Sequence, residues 1–201
     1  ILETIDKDAV IYLLNGLSKD SERELDHYNI VPILNSIKEI ERWSSYAKQS
    51  GKRRHGIINI DTGMSRLGLD TGQLDTFALN PQLAEGINIT YVMSHLACGD
   101  NRMDNKNEQQ RRLFDKYRLY FGSAKSSLAN SAGIFLGNNF HYDLVRPGAA
   151  IYGLQPIRNE FNKIQQVVKL NGKIIQNCIV DANATVGYGA TYRTTCRSRL
   201  A

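Results

Sequence analysis

HGIINIDTGMSRLG, residues 55–68, runs from an apolar stretch into a glycine-containing turn that carries an arginine, Arg66. The β-branched Ile57, Ile58 and Ile60 suit a pleated, buried surface, so residues 55–63 read as a strand. Arg66 then falls just past the strand's end. The same order recurs along the chain: an apolar run, then a small-residue turn carrying a chemically useful side chain. AVIYLLNGL (9–17) and IVPILNS (30–36) read as strands, and Ser36 stands where it can cap the helix KEIERWSSYAKQ. A short helix is expected near QLDTFAL. NITYVMSHLA (88–97) is a further strand, followed by a charged loop and a helix over NEQQRRLFDKYRLYFGSA. KSSLANSAG (125–133) and DLVRPGAAIYG (143–153) complete the series as strand-to-loop units.

Strands alternating with helices imply an α/β fold, a parallel sheet with crossover helices. Six candidate strands, with functional side chains at their ends, fit a partial (β/α)₈ barrel of the TIM type holding about six of its eight strands. A doubly wound open sheet is the alternative, but no GxGxxG and no P-loop supports nucleotide binding. After Leu154 the pattern changes to period-2 alternation with turn dipeptides such as Asn171–Gly172. Residues 1–155 are therefore expected to form the partial barrel, and 156–201 to begin a β-rich C-terminal domain.

Composition narrows the function. The chain has 201 residues, 42% hydrophobic, with mean hydropathy −0.36 and net charge +5. No apolar run nears the roughly 18 residues of a membrane span, and the N-terminal residues lack signal-peptide character. The basic residues are dispersed, in clusters as short as KRRH and QRR, so a nucleic-acid partner is not expected. Cys98, Cys178 and Cys196 lack zinc spacing, which argues against a metal site and for reduced thiols in the cytoplasm.

Each candidate side chain has a plain structural use: His95 as a core histidine, Arg66 as a surface arginine, Ser131 as a turn residue, Tyr188 as a strand aromatic. Arg146 is harder to set aside, because stranding a guanidinium among apolar neighbours costs several kcal/mol. ANS and RPGAA are turns of small residues at the last two strand ends, where backbone N–H groups can converge on a phosphate. Gly187 and Gly189 flank Tyr188, which suggests an unusual backbone or a close approach.

IDTGMSRLGL, MSHLACGD, SLANSAG, LVRPGAAIYGL and VGYGATYR, in this order, closely resemble the alanine racemases. These are pyridoxal-phosphate enzymes built of a barrel and a β-rich domain. The resemblance covers nearly the whole chain and implies a cytoplasmic, head-to-tail homodimer that interconverts L- and D-alanine for peptidoglycan with pyridoxal 5'-phosphate. It implies that Arg146 faces the pyridine nitrogen. Ser131, Gly148 and Ala149 would bind the phosphate, with Asn130 beside them. His95 would hydrogen-bond Arg146 and position the catalytic tyrosine. Arg66 would contact the cofactor's phenolic oxygen and orient the substrate carboxylate. Tyr188 would be the acid/base on one substrate face, reaching the cofactor of the other subunit, with the cofactor-bound lysine on the opposite face. A phenol is a weak acid, so Arg66 and a network through His95 would have to favour its phenolate. Arginine stays protonated and only donates, which leaves a facing pyridine nitrogen unprotonated and the cofactor a weaker electron sink.

Two departures stand out. The family's Schiff-base lysine lies in a Lys-Ala-Tyr-Gly motif, which is absent here. The chain therefore reads as an internal or truncated portion, expected to be inactive alone. Many members carry a lysine, often carbamylated, where this chain has Asn59, so a bound chloride is expected near Asn59 and Arg66. Other readings are an inactive remnant, or a related barrel decarboxylase or aldolase. The latter usually place a carboxylate at the pyridine nitrogen, which Arg146 disfavours.

Overall fold

The computed structural model describes Asp6, residues 9–161 and residues 164–201. Five strands, β1 (Ile11–Leu13), β2 (Ile30–Leu34), β3 (Arg54–Asn59), β4 (Ile87–Met93) and β5 (Lys125–Ser127), pair in chain order and all in parallel. Helices α1 (Glu22–His27), α2 (Ile37–Gln49), α3 (Thr71–Leu79) and α4 (Asn105–Arg118) fill the four connections, and α5 (Ser131–Leu136) follows β5. Parallel neighbours joined by helices give part of an α/β barrel.

Helix starts follow local chemistry. Ser36 Oγ accepts from Glu39 N at 3.3 Å, and Glu39 Oε2 accepts from Asn35 N at 2.8 Å, so α2 begins where the sequence places its cap. Asp70 caps α3 and Asp104 caps α4 in the same way. Successive strand residues face opposite layers. Leu34, Ile58 and Val92 pack with Ile40, Trp43, Leu74 and Phe114 between sheet and helices. Ile33, Ile57, Met93 and Val31 line the other face with Tyr12 and Tyr91. Each such fully buried side chain contributes about 1.5–3 kcal/mol.

The sixth strand expected at 143–153 does not form. Asp143 still follows β5, with its N–H on Ser126 O at 3.0 Å and its carboxylate on Ser126 N at 2.7 Å. Only a single bridge, Asn130 to Arg146, continues the pairing. Pro147 then removes a ladder donor, and the chain coils into a 3₁₀ turn at Ala149–Tyr152.

The chain divides into two compact units, Ile1–Val167 and Val168–Ala201. In the second, Cys178–Val180 pairs antiparallel with Ser198–Leu200, and Thr185–Val186 with Tyr192–Arg193. The buried Thr194 ties the turns together, donating to Asp181 O at 2.8 Å. The alternating residues 165–177 form no ladder, and Leu170 and Ile175 are almost fully exposed.

Candidate active site

A cavity of about 740 Å³ opens at the carboxyl ends of β1, β3, β4 and β5. Arg66, His95, Asn130, Ser131, Arg146, Gly148 and Ala149 all line it, as does Asn59. The barrel thus gathers every site residue expected from its portion of the sequence. Tyr188 lies in the second unit, fully exposed on a 3₁₀ turn between Gly187 and Gly189, both at positive φ.

Arg66 is presented by a closed excursion of the chain after β3. Asp61 Oδ1 accepts from the N–H groups of Gly63, Met64 and Ser65 at 2.8–3.1 Å, which curls the turn. Leu69 then returns to β3, its N–H on Asn59 O at 2.8 Å. Arg66 sits exposed on this loop, with no ion pair among the described residues.

Among the described residues, Arg146 is held by neutral oxygens alone. Its guanidinium donates to Ser127 Oγ, to Ser94 O at 2.6 Å and to Leu128 O at 3.3 Å. No carboxylate among the described residues neutralises it, and burial lowers its pKa to about 10, so it remains a cation at neutral pH. The resemblance implies a bond from Arg146 to His95, but the imidazole is paired with Asn130 instead. Asn130 Oδ1 accepts from Gly133 N at 2.9 Å, which turns its Nδ2 toward His95 Nε2 at 3.3 Å. Nε2 therefore accepts, and the ring proton resides on Nδ1. Burial first, then the charges of Arg146 and Arg66, lower the His95 pKa to about 4, so the ring is neutral.

Two donors are left over between β5 and the turn after Arg146. Ser131 Oγ, on a residue only 8% exposed, accepts from Gly148 N at 2.9 Å and Ala150 N at 3.2 Å, which leaves its hydroxyl proton to give. The Ala149 N–H meets no protein acceptor among the described residues. A Cβ built on Gly148 would meet no atom within 4 Å, so the space before these donors is open. This arrangement fits an anionic group such as a phosphate.

Asn59 is 7% exposed and its orientation is fixed from below. Asn35 spends its Nδ2 on Ile33 O, so its Oδ1 accepts from Asn59 Nδ2 at 2.8 Å. Asn59 Oδ1 is left buried without a donor. Asn59 is thus a neutral amide at the base of the cavity, with one Nδ2 hydrogen spent on Asn35.

Sequence reasoning missed Ser94, Ser127 and Gln110. The two serines stand at strand ends in MSHLA and KSSLA, polar residues inside apolar runs. Gln110 shares the buried stripe of α4 with Asn107, Phe114 and Tyr117, a polar residue on an apolar face.

A family model described as "Alanine racemase, N-terminal domain" matches residues 2–156. The chain is 42% identical over 182 residues to a catabolic alanine racemase of Mesorhizobium japonicum, covering 90% of this chain and 48% of that protein. It is 38% identical over its full 201 residues to an alanine racemase of Rhodospirillum rubrum, 54% of that protein. The crystal structure of a Bartonella henselae alanine racemase with covalently bound pyridoxal phosphate superposes with a TM-score of 0.88 at 36% identity, over 98% of this chain and 55% of that one. The chain thus spans about half the length of the relatives it matches. With the barrel, the cavity and the ordered motifs in agreement, the chain belongs to the alanine racemase family, through that family's N-terminal domain.

Proposed function

We propose that this chain is the cofactor-binding barrel portion of an alanine racemase, a pyridoxal-phosphate-dependent isomerase that interconverts L- and D-alanine. The observation that carries this reading is the convergence, in one cavity, of an un-neutralised Arg146, a neutral His95 and the spare donors of Ser131 and Ala149. Pyridoxal phosphate, when bound, supplies an electron sink for the pair left on the substrate's Cα. Ser131 and the backbone of Gly148 and Ala149 would hold its phosphate, with Asn130 steadying the turn. Arg146, unable to accept a proton, would keep the facing ring nitrogen a hydrogen-bond acceptor. Arg66 would orient the substrate carboxylate. His95, with its proton on Nδ1, would donate to the phenolic oxygen of Tyr188 and favour its role as acid/base.

In the assembled enzyme Tyr188 would serve the site of the other subunit of a head-to-tail dimer. The product would be D-alanine for peptidoglycan, made in the cytoplasm; among the described residues no helix is long and apolar enough to cross a membrane. A chloride would sit near Asn59 and Arg66, held chiefly by the guanidinium charge. The test is Arg146→Glu in the full-length enzyme carrying this segment. Racemisation should fall by at least about 100-fold and transamination should appear, since a carboxylate favours the protonated ring nitrogen and a stronger sink. Undiminished racemisation without transamination would refute the assignment.

A further inference from the structure

Three successive carbonyls just past β4 are each claimed by a different side chain. Ser94 O accepts from Arg146 Nη2 at 2.6 Å, His95 O from Gln110 Nε2 at 2.9 Å, and Leu96 O from Asn130 Nδ2 at 3.3 Å. Arg146 and Asn130 belong to the site already described. Gln110 comes from outside it, on the second turn of α4, and is only 1% exposed.

Every polar atom of the Gln110 amide is engaged at this strand end. Its Oε1 accepts from Ala97 N at 2.8 Å, while Nε2 is shared between His95 O and Thr62 Oγ1, the latter at 3.2 Å. Thr62 Oγ1 in turn lies 2.7 Å from Ser94 Oγ. Thr62 belongs to the turn that presents Arg66, and Ser94 and His95 belong to the strand end that presents the imidazole. One buried amide therefore ties together the two loops that carry Arg66 and His95. The donor and acceptor ends of the amide are not interchangeable: Ala97 N must meet the oxygen, and the His95 carbonyl must meet the nitrogen.

We propose that Gln110 is a positioning residue for the racemase site, fixing the Arg66 turn and the His95 strand end relative to each other through its amide. The inference rests on the racemase reading above. Gln110 touches neither substrate nor cofactor; it sets where two groups that do so are placed.

The experiment uses the full-length holoenzyme with Gln110→Met, Gln110→Glu and, as control, Asn107→Leu. Met matches the length of Gln without its hydrogen bonds. Glu retains the acceptor for Ala97 N but loses the donors to His95 O and Thr62. Asn107 is on the same buried stripe, but among the described residues its Nδ2 bonds only Asn101 O, at 2.9 Å, and its buried Oδ1 has no partner. Both Gln110 variants should lower kcat/KM by about 10- to 100-fold, the usual cost of a small misplacement at a reacting centre. Amide hydrogen exchange supplies a readout independent of turnover. In Gln110→Met the Ala97 N–H should exchange at least about tenfold faster, and in Gln110→Glu it should stay protected, since that acceptor remains. Asn107→Leu should leave kcat/KM and Ala97 protection unchanged, whichever way Tm moves.

If both Gln110 variants lose Tm but keep wild-type kcat/KM, Gln110 is only a core residue and the inference fails. If Asn107→Leu loses as much kcat/KM as they do, generic loosening of α4 explains the effect and the inference fails as well. Failure of the wild-type holoenzyme to racemise alanine would instead refute the functional reading on which the inference rests.

Discussion

Asn130 settles the chemistry of His95 by the way its own amide is used. With Oδ1 committed to the Gly133 N–H, only Nδ2 can face the imidazole, which must then accept at Nε2. A protonated ring would set N–H against N–H and would also face Arg146 and Arg66. The folded state therefore resists protonation, with the pKa lowered from 6.5 to about 4. The sign for stability follows: between those values the unfolded chain binds a proton that the folded chain does not, so stability falls as pH falls from about 6.5 to about 4. Each pH unit of that window is worth about 1.4 kcal/mol, so the loss across it is at most about 3–4 kcal/mol. Urea midpoints measured across this range should slope for the wild type and flatten in His95→Gln. Equal slopes in the two proteins would show that His95 titrates normally in the fold.

The IDTGMSRLGL turn carries Arg66 as an element rather than as a residue. Gly68, at φ +114°, allows Leu69 to fold back on β3; a Cβ there would lie 2.8 Å from Asp61 N and 3.0 Å from Ile60 C. Gly68→Ala thus combines left-handed backbone with a backbone clash, a cost of at least about 1–3 kcal/mol. Its Tm should drop by about 5 °C or more. Gly51→Ala also has positive φ but meets nothing within 4 Å, and should drop less. Equal Tm changes would mean that the turn is not packed as described. Elements of this kind show what the sequence makes legible. β3 and β4 were readable because Ile57, Ile58, Val92 and Met93 are apolar on both faces, and α2 because Ser36 announces its start. The residues 143–153 look like a strand by the same composition, yet their course is set by side chain–backbone bonds of Asp143 and by the missing N–H of Pro147. No local pattern reports those. Gln110 was invisible for a related reason: its partners Thr62, His95 and Ala97 are 48, 15 and 13 residues away.

At the scale of the whole molecule, the cavity holds the means to bind and orient but not to shuttle protons. Its ionisable lining groups among the described residues are Arg66, Arg146 and His95. Arg146, with its pKa near 10, stays charged at neutral pH. His95, with its pKa near 4, is too weak a base to take a substrate α-proton. No lysine lines the cavity among the described residues, so no amine is positioned there to bond an aldehyde. On the reading proposed above, an acid/base group would stand on each substrate face, and Tyr188 would supply one of them. The 201-residue chain by itself should therefore bind pyridoxal phosphate only through reversible contacts. Borohydride reduction followed by peptide mapping should mark no cavity residue at stoichiometric yield, and D-alanine should not form from L-alanine. Ser131→Ala should weaken the reversible binding about tenfold, because it removes the hydroxyl proposed to donate to the phosphate and the acceptor that orders Gly148 and Ala150. Stoichiometric labelling within the cavity, or turnover by the isolated segment, would mean that another nucleophile or base reaches the site, and the division of labour between this barrel portion and the rest of the enzyme would have to be redrawn.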